Sequence, residues 1–578
     1  MKTVYSIADN ILSPLGCTTS ENLAALRTGR SALRHYKNFS GRKEDDYVAA
    51  RFSDEQRHSL MVEGLTWFES LVYRSAQECI SRALIPVSSS KALFILSTTK
   101  GNIDHLKEEN FLQLLPWESA NRIAMRLGFV TRPMVVCNAC ISGVSAIIIA
   151  QRLIAVGAYD TIVVTGCDVI THFVVSGFQS LKAMSPAPCR PFDMERLGLN
   201  LGEAAATMVL TSTDPSKGGE LAGALRKGEW WQIVSGAIRN DAYHISSPSP
   251  RGEGCADAIR CVTEGIDINS ISAINVHGTA TMFNDQMESK AIETSGLSDT
   301  PMNTLKGYYG HTLGASGILE TIATIYSVEQ GELLPTLNFS ERGVSGRVMI
   351  SDKAQTVDRH SFVKIISGFG GCNAALYCQR GKGTEQAERC HDYDVKHIVR
   401  LTSEGVTIDH RPLISDGDGD GLLTRLYRQH VGDYPRYYKM DRLSQLGFLA
   451  SELLLREEGH REPCADRAVV LFNHTSSTPS NRQYEETIAD SDNYFPGPSL
   501  FLHTLPNMVC GEIALRNGYH GETSFYIVGS KDDSIVERVV HATFVDKHID
   551  SMLTGWVDYL DNACFEAELR LIERKTME

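Results

Sequence analysis

Residues 134–143 read MVVCNACISG. An apolar run leads into Cys137 and Cys140, and small residues then open a second apolar run, VSAIIIAQRLIAVG. The pattern predicts a strand, a sharp turn and a buried helix. The C-x-x-C spacing alone also suits a thiol–disulfide oxidoreductase or half of a zinc site, but no second ligand pair stands at zinc spacing. A thiol at the turn lies near a helix N-terminus, whose partial positive charge favours thiolate. That marks Cys140 as a nucleophile with a lowered pKa. Taken alone, a buried structural cysteine is the competing reading. Cys137, in the strand, reads as a packed thiol.

Working outward, short apolar runs alternate with helix-like segments. ALFILST (92–98), DTIVVTGCD (160–168), AAATMVLTS (204–212), ISAINVHG (271–278), GRVMISD (346–352), FVKIISGFG (362–370) and AALYCQR (374–380) read as strands, and ANRIAMRLG (120–128) as a helix stopped by glycine. Such alternation indicates α/β layers. The 578 residues exceed one ordinary core, so roughly two to four domains are expected. A net charge of −14 argues against nucleic acid as a partner. Fourteen cysteines scattered through apolar segments fit a reducing cytoplasm, not a disulfide framework. The N-terminal MKTVYSIADNILSPLG does not read as a secretory signal. No run reaches the roughly 18 apolar residues of a membrane helix, so no membrane association is expected.

Three further segments carry candidate chemistry. His277, in VHGTATMFND (276–285), follows an apolar run at the C-terminal end of a strand, where α/β proteins place their sites. NTLKGYYGHTLGASG (303–317) supplies Lys306 and His311 before a small-residue helix start. SGFGGCNAAL (367–376) packs three glycines between two strands, either a tight hairpin or a loop whose amides approach a substrate oxygen.

Together, and in this order, these motifs resemble those of the β-ketoacyl synthases, the condensing enzymes of fatty-acid and polyketide assembly. The resemblance covers about residues 1–380. It includes SPLG near the start, RPFDMERLGLNLGEAAA (190–206), His277-Gly278-Thr279, Lys306, Gly310-His311 and Gly368-Phe369-Gly370-Gly371. Two histidines, rather than one His and one Asn, place it with the elongating synthases. The chain departs from the family pattern at Asn138, where threonine is usual, and at Ala280, which replaces the second glycine of H-G-T-G-T.

The resemblance implies a thiolase-like layered αβαβα fold and decarboxylative Claisen condensation. Cys140 would carry the acyl group, and His277 and His311 would stabilise the malonyl-derived enolate. Lys306 would orient the site. Cys140 and Phe369, with Gly370, would form the oxyanion hole and the gate between half-reactions. Glu203 and Asn373 would support the structure. Neither metal nor resident cofactor is implied; substrates arrive on the phosphopantetheine of an acyl carrier protein.

Beyond Arg380 the polar stretch GKGTEQAERCHDYD reads as a linker, placed at 383–395, and the α/β pattern then resumes. LPNMVCGEIALRNG (505–518) matches LPWESANRIAMRLG (115–128) at six of fourteen positions, 390 residues later. Residues 396–578 thus read as a half-copy of the N-terminal half (about 1–215) of a complete synthase spanning 1–382, whose second half is about 216–382. The same offset from Cys140 lands on Ser530, and nothing like H-G-T or K-x-x-x-G-H follows. The half-copy therefore lacks the catalytic set. It resembles the chain-length factors of type II polyketide and aryl-polyene-type pathways. That resemblance implies a pairing of synthase and factor, within or between chains, as a homodimer or pseudo-dimer whose factor shapes the acyl tunnel. Housekeeping fatty-acid elongation is the alternative; a non-catalytic scaffold or a C-x-x-C oxidoreductase is the alternative of another class. DGDGDG (416–421) imitates an EF-hand start but has Tyr427 where a bidentate Glu is needed.

Overall fold

The helix expected after Cys140 runs from Ser142 to Ala155, and all 14 of its residues are buried. It packs against a second buried helix, Ser316–Glu329, and against strands on both sides. The two helices meet near their starts through glycines. A Cβ on Gly143 would lie 2.9 Å from the carbonyl oxygen of Gly314, and one on Gly317 would lie 2.5 Å from the amide of Val144. This close approach brings the turn carrying Cys140 beside the turn carrying His311. The computed structural model describes residues 1–37, 46–107, 111–215, 230–358, 360–381, 392–413, 421–458, 462–490 and 492–575.

One sheet orders the strands Tyr5–Leu12, Ala204–Thr211, Thr161–Asp168, Ala92–Ser97 and Met134–Val136; the last three run parallel. A second orders Trp231–Asn240, Cys372–Arg380, Ser361–Gly368, Ala273–Asn275, Pro301–Asn303 and Met349–Ile350. The two buried helices lie between them. Trp67–Ala83 covers the outer face of the first sheet and Glu253–Thr263 that of the second. These are the five layers, αβαβα, of the expected fold.

The first sheet does not end at Met134–Val136. That strand pairs antiparallel with Thr523–Ile527 of the same chain, Val136 opposite Tyr526 and Val135 opposite Ile527. From there the strands follow as Arg467–Asn473, Ser551–Tyr559, Phe565–Arg574 and Tyr393–Thr402. Their order and directions repeat the first five. A single sheet thus crosses the chain, with a pseudo-twofold at its middle pair. Apolar side chains from both sides of the junction, among them Val135, Ile123, Val509 and Phe525, share one core. Each fully buried side chain of this kind contributes roughly 1.5–3 kcal/mol. A buried ion network crosses beside it: Arg152 pairs with Glu522 at 2.6 Å, and Arg239 with Asp546 at 2.8 Å.

Two local readings change, and a third segment falls almost wholly outside the described residues. Within the expected linker 383–395, residues 383–391 lie outside those described, and a strand already begins at Tyr393 because its partner, Phe565–Arg574, extends that far. Only Met349–Ile350 of GRVMISD forms a ladder, since Gly346 packs backbone to backbone on Ser289. Of DGDGDG, only Gly421 falls among the described residues, where it precedes the helix Leu422–His430. Among the described residues, no helix is long and apolar enough to cross a membrane.

Candidate active site

Cys140 sits in a single 3-10 turn, Ala139–Ile141, between its strand and the buried helix. Ala139 holds a φ of 48° there, in the left-handed region that L-residues rarely adopt. His277 follows the strand Ala273–Asn275, and both backbone amides of His277 and Gly278 donate to the Glu288 carboxylate at 2.7 Å. Ala280, standing where the family has glycine, does take a left-handed φ of 62°, a conformation costing an L-residue roughly 1–2 kcal/mol. His311 lies at the start of the second buried helix.

The three side chains converge. The sulfur of Cys140 and ring nitrogens of His277 and His311 lie within 4.8 Å of one another. The two imidazoles stand edge to face, with centroids 5.0 Å apart. Among the described residues this is also the set spaced to approach a metal ion. Cys137 is not part of it: its thiol points to the carbonyl of Thr99 at 3.8 Å, and both cysteines are free. The two thiols of the C-x-x-C pair thus face different partners.

Proton positions follow from the hydrogen bonds. Nδ1 of His311 accepts from the Leu313 amide at 3.4 Å and lies 3.0 Å from the Ser316 hydroxyl, which itself accepts from the Thr312 amide. The ring proton is thus assigned to Nε2, which is buried and meets no partner among the described residues. Burial pushes both histidines well below the ordinary imidazole range, and the ammonium of Lys306 pushes them further. Both imidazoles are neutral at pH 7, so each offers an N–H without carrying charge.

Beneath them, Glu320 receives two ammonium groups, Lys306 and, at 2.7 Å, Lys364. Burial holds Lys364 below the ordinary lysine range while Glu320 and Glu288 act against that, so a charged cluster lies under the histidines. Burial pushes the Cys140 thiol up to about 12, against the pull of Lys306 and of the backbone amides of Phe369 and Cys140. The lowered pKa expected from the helix terminus is therefore not found. A one-turn helix start is too weak to offset complete desolvation.

The amides of Phe369 and Cys140 act on the sulfur and so lie beside the place a thioester carbonyl on Cys140 would take, where oxyanion donors are needed. Gly370, grouped with that hole from sequence, does not donate there. Its amide is taken by the Ile245 carbonyl at 2.7 Å, and its φ of 92° shapes the loop instead. Phe369 separates two spaces. An outer cavity of about 370 Å³ is lined by Cys140, both histidines and Thr279; an inner one of about 10 Å³ lies behind Cys140 and Phe369. Asn373 lines the outer cavity and ties Ser367 to Asp241. Glu203 lies away from the reacting groups. It accepts from the amides of Phe52 and Ile170 and pairs with Arg57 at 2.7 Å, a structural anchor.

Several contributors escaped the sequence reading. Lys364 sits inside the apolar strand FVKIIS, and its burial was the available signal. Asn138, the first departure from the family pattern, faces away from the cavity, and its side-chain oxygen accepts from the amide of Phe525 at 2.7 Å. From the C-terminal region, Phe501 and Leu505 line the inner cavity, and Asn507 donates to the carbonyl of Phe369. Ser530 is exposed beside Arg132, far from any comparable arrangement.

Comparison with known proteins gives a consistent picture. The family "Beta-ketoacyl synthase, N-terminal domain" matches residues 1–215 and "Beta-ketoacyl synthase, C-terminal domain" matches 232–340. A putative mitochondrial 3-oxoacyl-[acyl-carrier-protein] synthase of Schizosaccharomyces pombe is 27% identical over 432 residues, 65% of this chain and 98% of that protein. 3-Oxoacyl-[acyl-carrier-protein] synthase 2 of Staphylococcus aureus is 29% identical over 275 residues, 46% of this chain and 67% of that protein. The crystal structure of a β-ketoacyl synthase from Burkholderia phymatum covers 66% of the chain with a TM-score of 0.60 at 25% identity, and all of that structure is covered. A structure described as "PfaC Keto synthase-Chain length factor" covers 99% of the chain with a TM-score of 0.75, at 13% identity and with 78% of that chain covered. At that identity the last likeness concerns the fold alone.

Proposed function

The chain belongs to the β-ketoacyl synthase family, and from that premise we propose that Cys140 condenses an acyl thioester with a malonyl group delivered on an acyl carrier protein. The observation that carries this is the convergence of the Cys140 sulfur, His277 and His311 within 4.8 Å on the wall of a 370 Å³ cavity.

The chemistry follows the groups in place. Cys140 loses its proton and its sulfur attacks the incoming thioester. The new S–C bond forms as the bond to the carrier thiol breaks, and the carrier leaves as the free thiol. Malonyl carrier protein then enters the outer cavity. Its C–C bond to the carboxylate breaks, carbon dioxide leaves, and the electron pair forms an enolate. Neutral N–H groups of His277 and His311 donate to the enolate oxygen, and the nearby ammonium of Lys306 favours it. The enolate carbon attacks the thioester on Cys140. The amides of Phe369 and Cys140 hold the tetrahedral oxyanion until the thiolate leaves, giving a 3-oxoacyl carrier protein.

The C-terminal half serves as a built-in, non-catalytic partner of chain-length-factor type in polyketide, polyene or specialised fatty-acid synthesis. The contacts of Phe501, Leu505 and Asn507 with the inner cavity and its gate support this role. So does the strand pairing at Val135 and Val136, which occupies the sheet edge a homodimer would need.

Release of carbon dioxide from malonyl carrier protein and formation of the 3-oxoacyl product are measured for wild type and Cys140→Ala. The variant is expected to form no acyl-enzyme by intact mass and no condensation product; wild-type transfer in Cys140→Ala overturns the assignment. A chain ending at Arg380 is expected to be insoluble or to alter product length, because it bares the edge of Met134–Val136.

A further inference from the structure

Lys100 is a cation in an unexpected place. It follows the strand Ala92–Ser97 and is 7% exposed. Its side chain lines the same inner cavity as Cys140, together with Val174, Phe178, Leu313 and Phe501. Its ammonium donates to the backbone carbonyl of Thr504 at 2.6 Å and to the hydroxyl of the same residue. The rings of Phe173 and Phe501 each face it at 5.5 Å. Among the described residues, no carboxylate lies within 4 Å of it. Asp168, which acts on it electrostatically, is fully engaged elsewhere, accepting from Thr98, Thr99, Gly314 and the backbone amide of Lys100.

A buried cation with no carboxylate in contact is costly. The two aromatic faces and the two Thr504 oxygens offset part of that cost. Two of the three ammonium protons are thereby used, and an oxygen inside the cavity would complete the set. An apolar chain end packed into the same space would meet a desolvated cation and supply nothing to it.

We propose that Lys100 is a specificity-determining residue of the acyl pocket, selecting acyl groups on Cys140 that are short and end in a hydrogen-bond-accepting oxygen, a carboxylate or a carbonyl, over equally long groups that end in methyls. This rests on the reading of Cys140 as the acylated nucleophile. The small volume, about 10 Å³ or roughly one water, favours short groups, and even a few carbons require Phe369 or its neighbours to shift. Thr504 becomes a positioning residue, since it fixes the ammonium from the C-terminal half. Burial holds the ammonium down to about 7, so an anionic chain end would also stabilise its charged form.

The test uses the full chain and three pantetheine thioesters with the same number of non-hydrogen atoms: succinyl, 4-oxopentanoyl and 4-methylpentanoyl. Their ends are a carboxylate, a ketone and an isopropyl group. Acylation of Cys140 is followed by intact mass, and second-order rate constants are compared. Wild type is expected to react about ten-fold faster with at least one oxygen-ended thioester than with the isopropyl-ended one. A faster succinyl arm assigns the role of counter-charge; a faster 4-oxopentanoyl arm assigns a neutral acceptor. Lys100→Met is expected to bring the ratio to about one or below, and Lys100→Gln, which keeps a donor, to restore part of it. A purely structural lysine would lower all three rates together and leave their ratio unchanged, which overturns the inference. Equal or faster reaction of the isopropyl-ended thioester in wild type overturns it without any variant. Failure of all three to acylate Cys140 removes the nucleophile assignment, and this inference with it; indiscriminate acylation removes this inference alone.

Discussion

Asn507 donates its side-chain amide to the backbone carbonyl of Phe369 across 3.0 Å. The donor belongs to the C-terminal half, and the acceptor residue is both the gate between the cavities and one source of the oxyanion amides. The helix Met508–Asn517 presses on the same loop, since a Cβ on Gly511 would lie 2.8 Å from the carbonyl oxygen of Gly370. The C-terminal half thus helps set the position of an amide proposed for the oxyanion hole.

Asn507→Ala removes that restraint and leaves the reacting groups in place. A neutral hydrogen bond contributes about 1 kcal/mol, so condensation is expected to slow about five-fold. Single-turnover kinetics with preformed acyl-enzyme checks this. A wild-type rate would show that the loop holds its shape unaided.

His311→Ala separates the half-reactions. Acylation of Cys140 is expected to persist within a few-fold. Decarboxylation and condensation should fall about 10²–10³-fold, the cost of removing one oxyanion-type donor. Intact mass reads the first step and carbon dioxide release the second. Equal loss in both would move His311 from the enolate to the thiol.

The buried imidazoles also set a pH dependence. His277 and His311 both sit well below the ordinary value of 6.5 when folded. The unfolded chain therefore binds more protons at mildly acidic pH. Their contribution to stability is complete above about 6.5 and is lost as pH falls from there toward their folded values. Replacing both with Asn is expected to flatten the fall of Tm between pH 6.5 and 5. An unchanged slope would assign acid sensitivity to other groups.

The junction of the two halves is tested at Arg152. Its guanidinium lies 2.6 Å from Glu522 and 3.6 Å from Asp546, all nearly inaccessible. Arg152→Met leaves the buried Glu522 without its ion-pair partner, while Asp546 keeps Arg239, a loss of about 3–5 kcal/mol. The additional substitution Glu522→Leu is expected to recover part of it. Thermal unfolding of the single and double variants measures the difference.

Much of this was legible in short motifs. Cys140, His277, Lys306 and His311 each sit at a turn whose neighbours announce it, and the turns meet because glycines at 143 and 317 let two helices touch. The repeat at 505–518 pointed to the repeated strand order beyond Thr523–Ile527. What stayed hidden depends on partners far apart in the chain. Lys100 reads as a loop lysine until Thr504 and the inner cavity are beside it. Asn507 lies inside the repeat, yet nothing in LPNMVCGEI points to the carbonyl of Phe369. The rise of the Cys140 pKa was misjudged because helix-end charge is local, whereas desolvation depends on everything packed around the sulfur.

The antiparallel pair at Val135–Val136 and Tyr526–Ile527 has an arithmetic consequence. A sheet that is twofold in its hydrogen bonds is onefold in its chemistry, with a thiol on one side and nothing equivalent on the other. Active-site titration should therefore count one acyl group for each 63.7 kDa of protein. With Ser530 at the position matching Cys140, the proposed chemistry leaves no paired site within the chain to alternate with, and a carrier protein would deliver every acyl group to the face that bears Cys140.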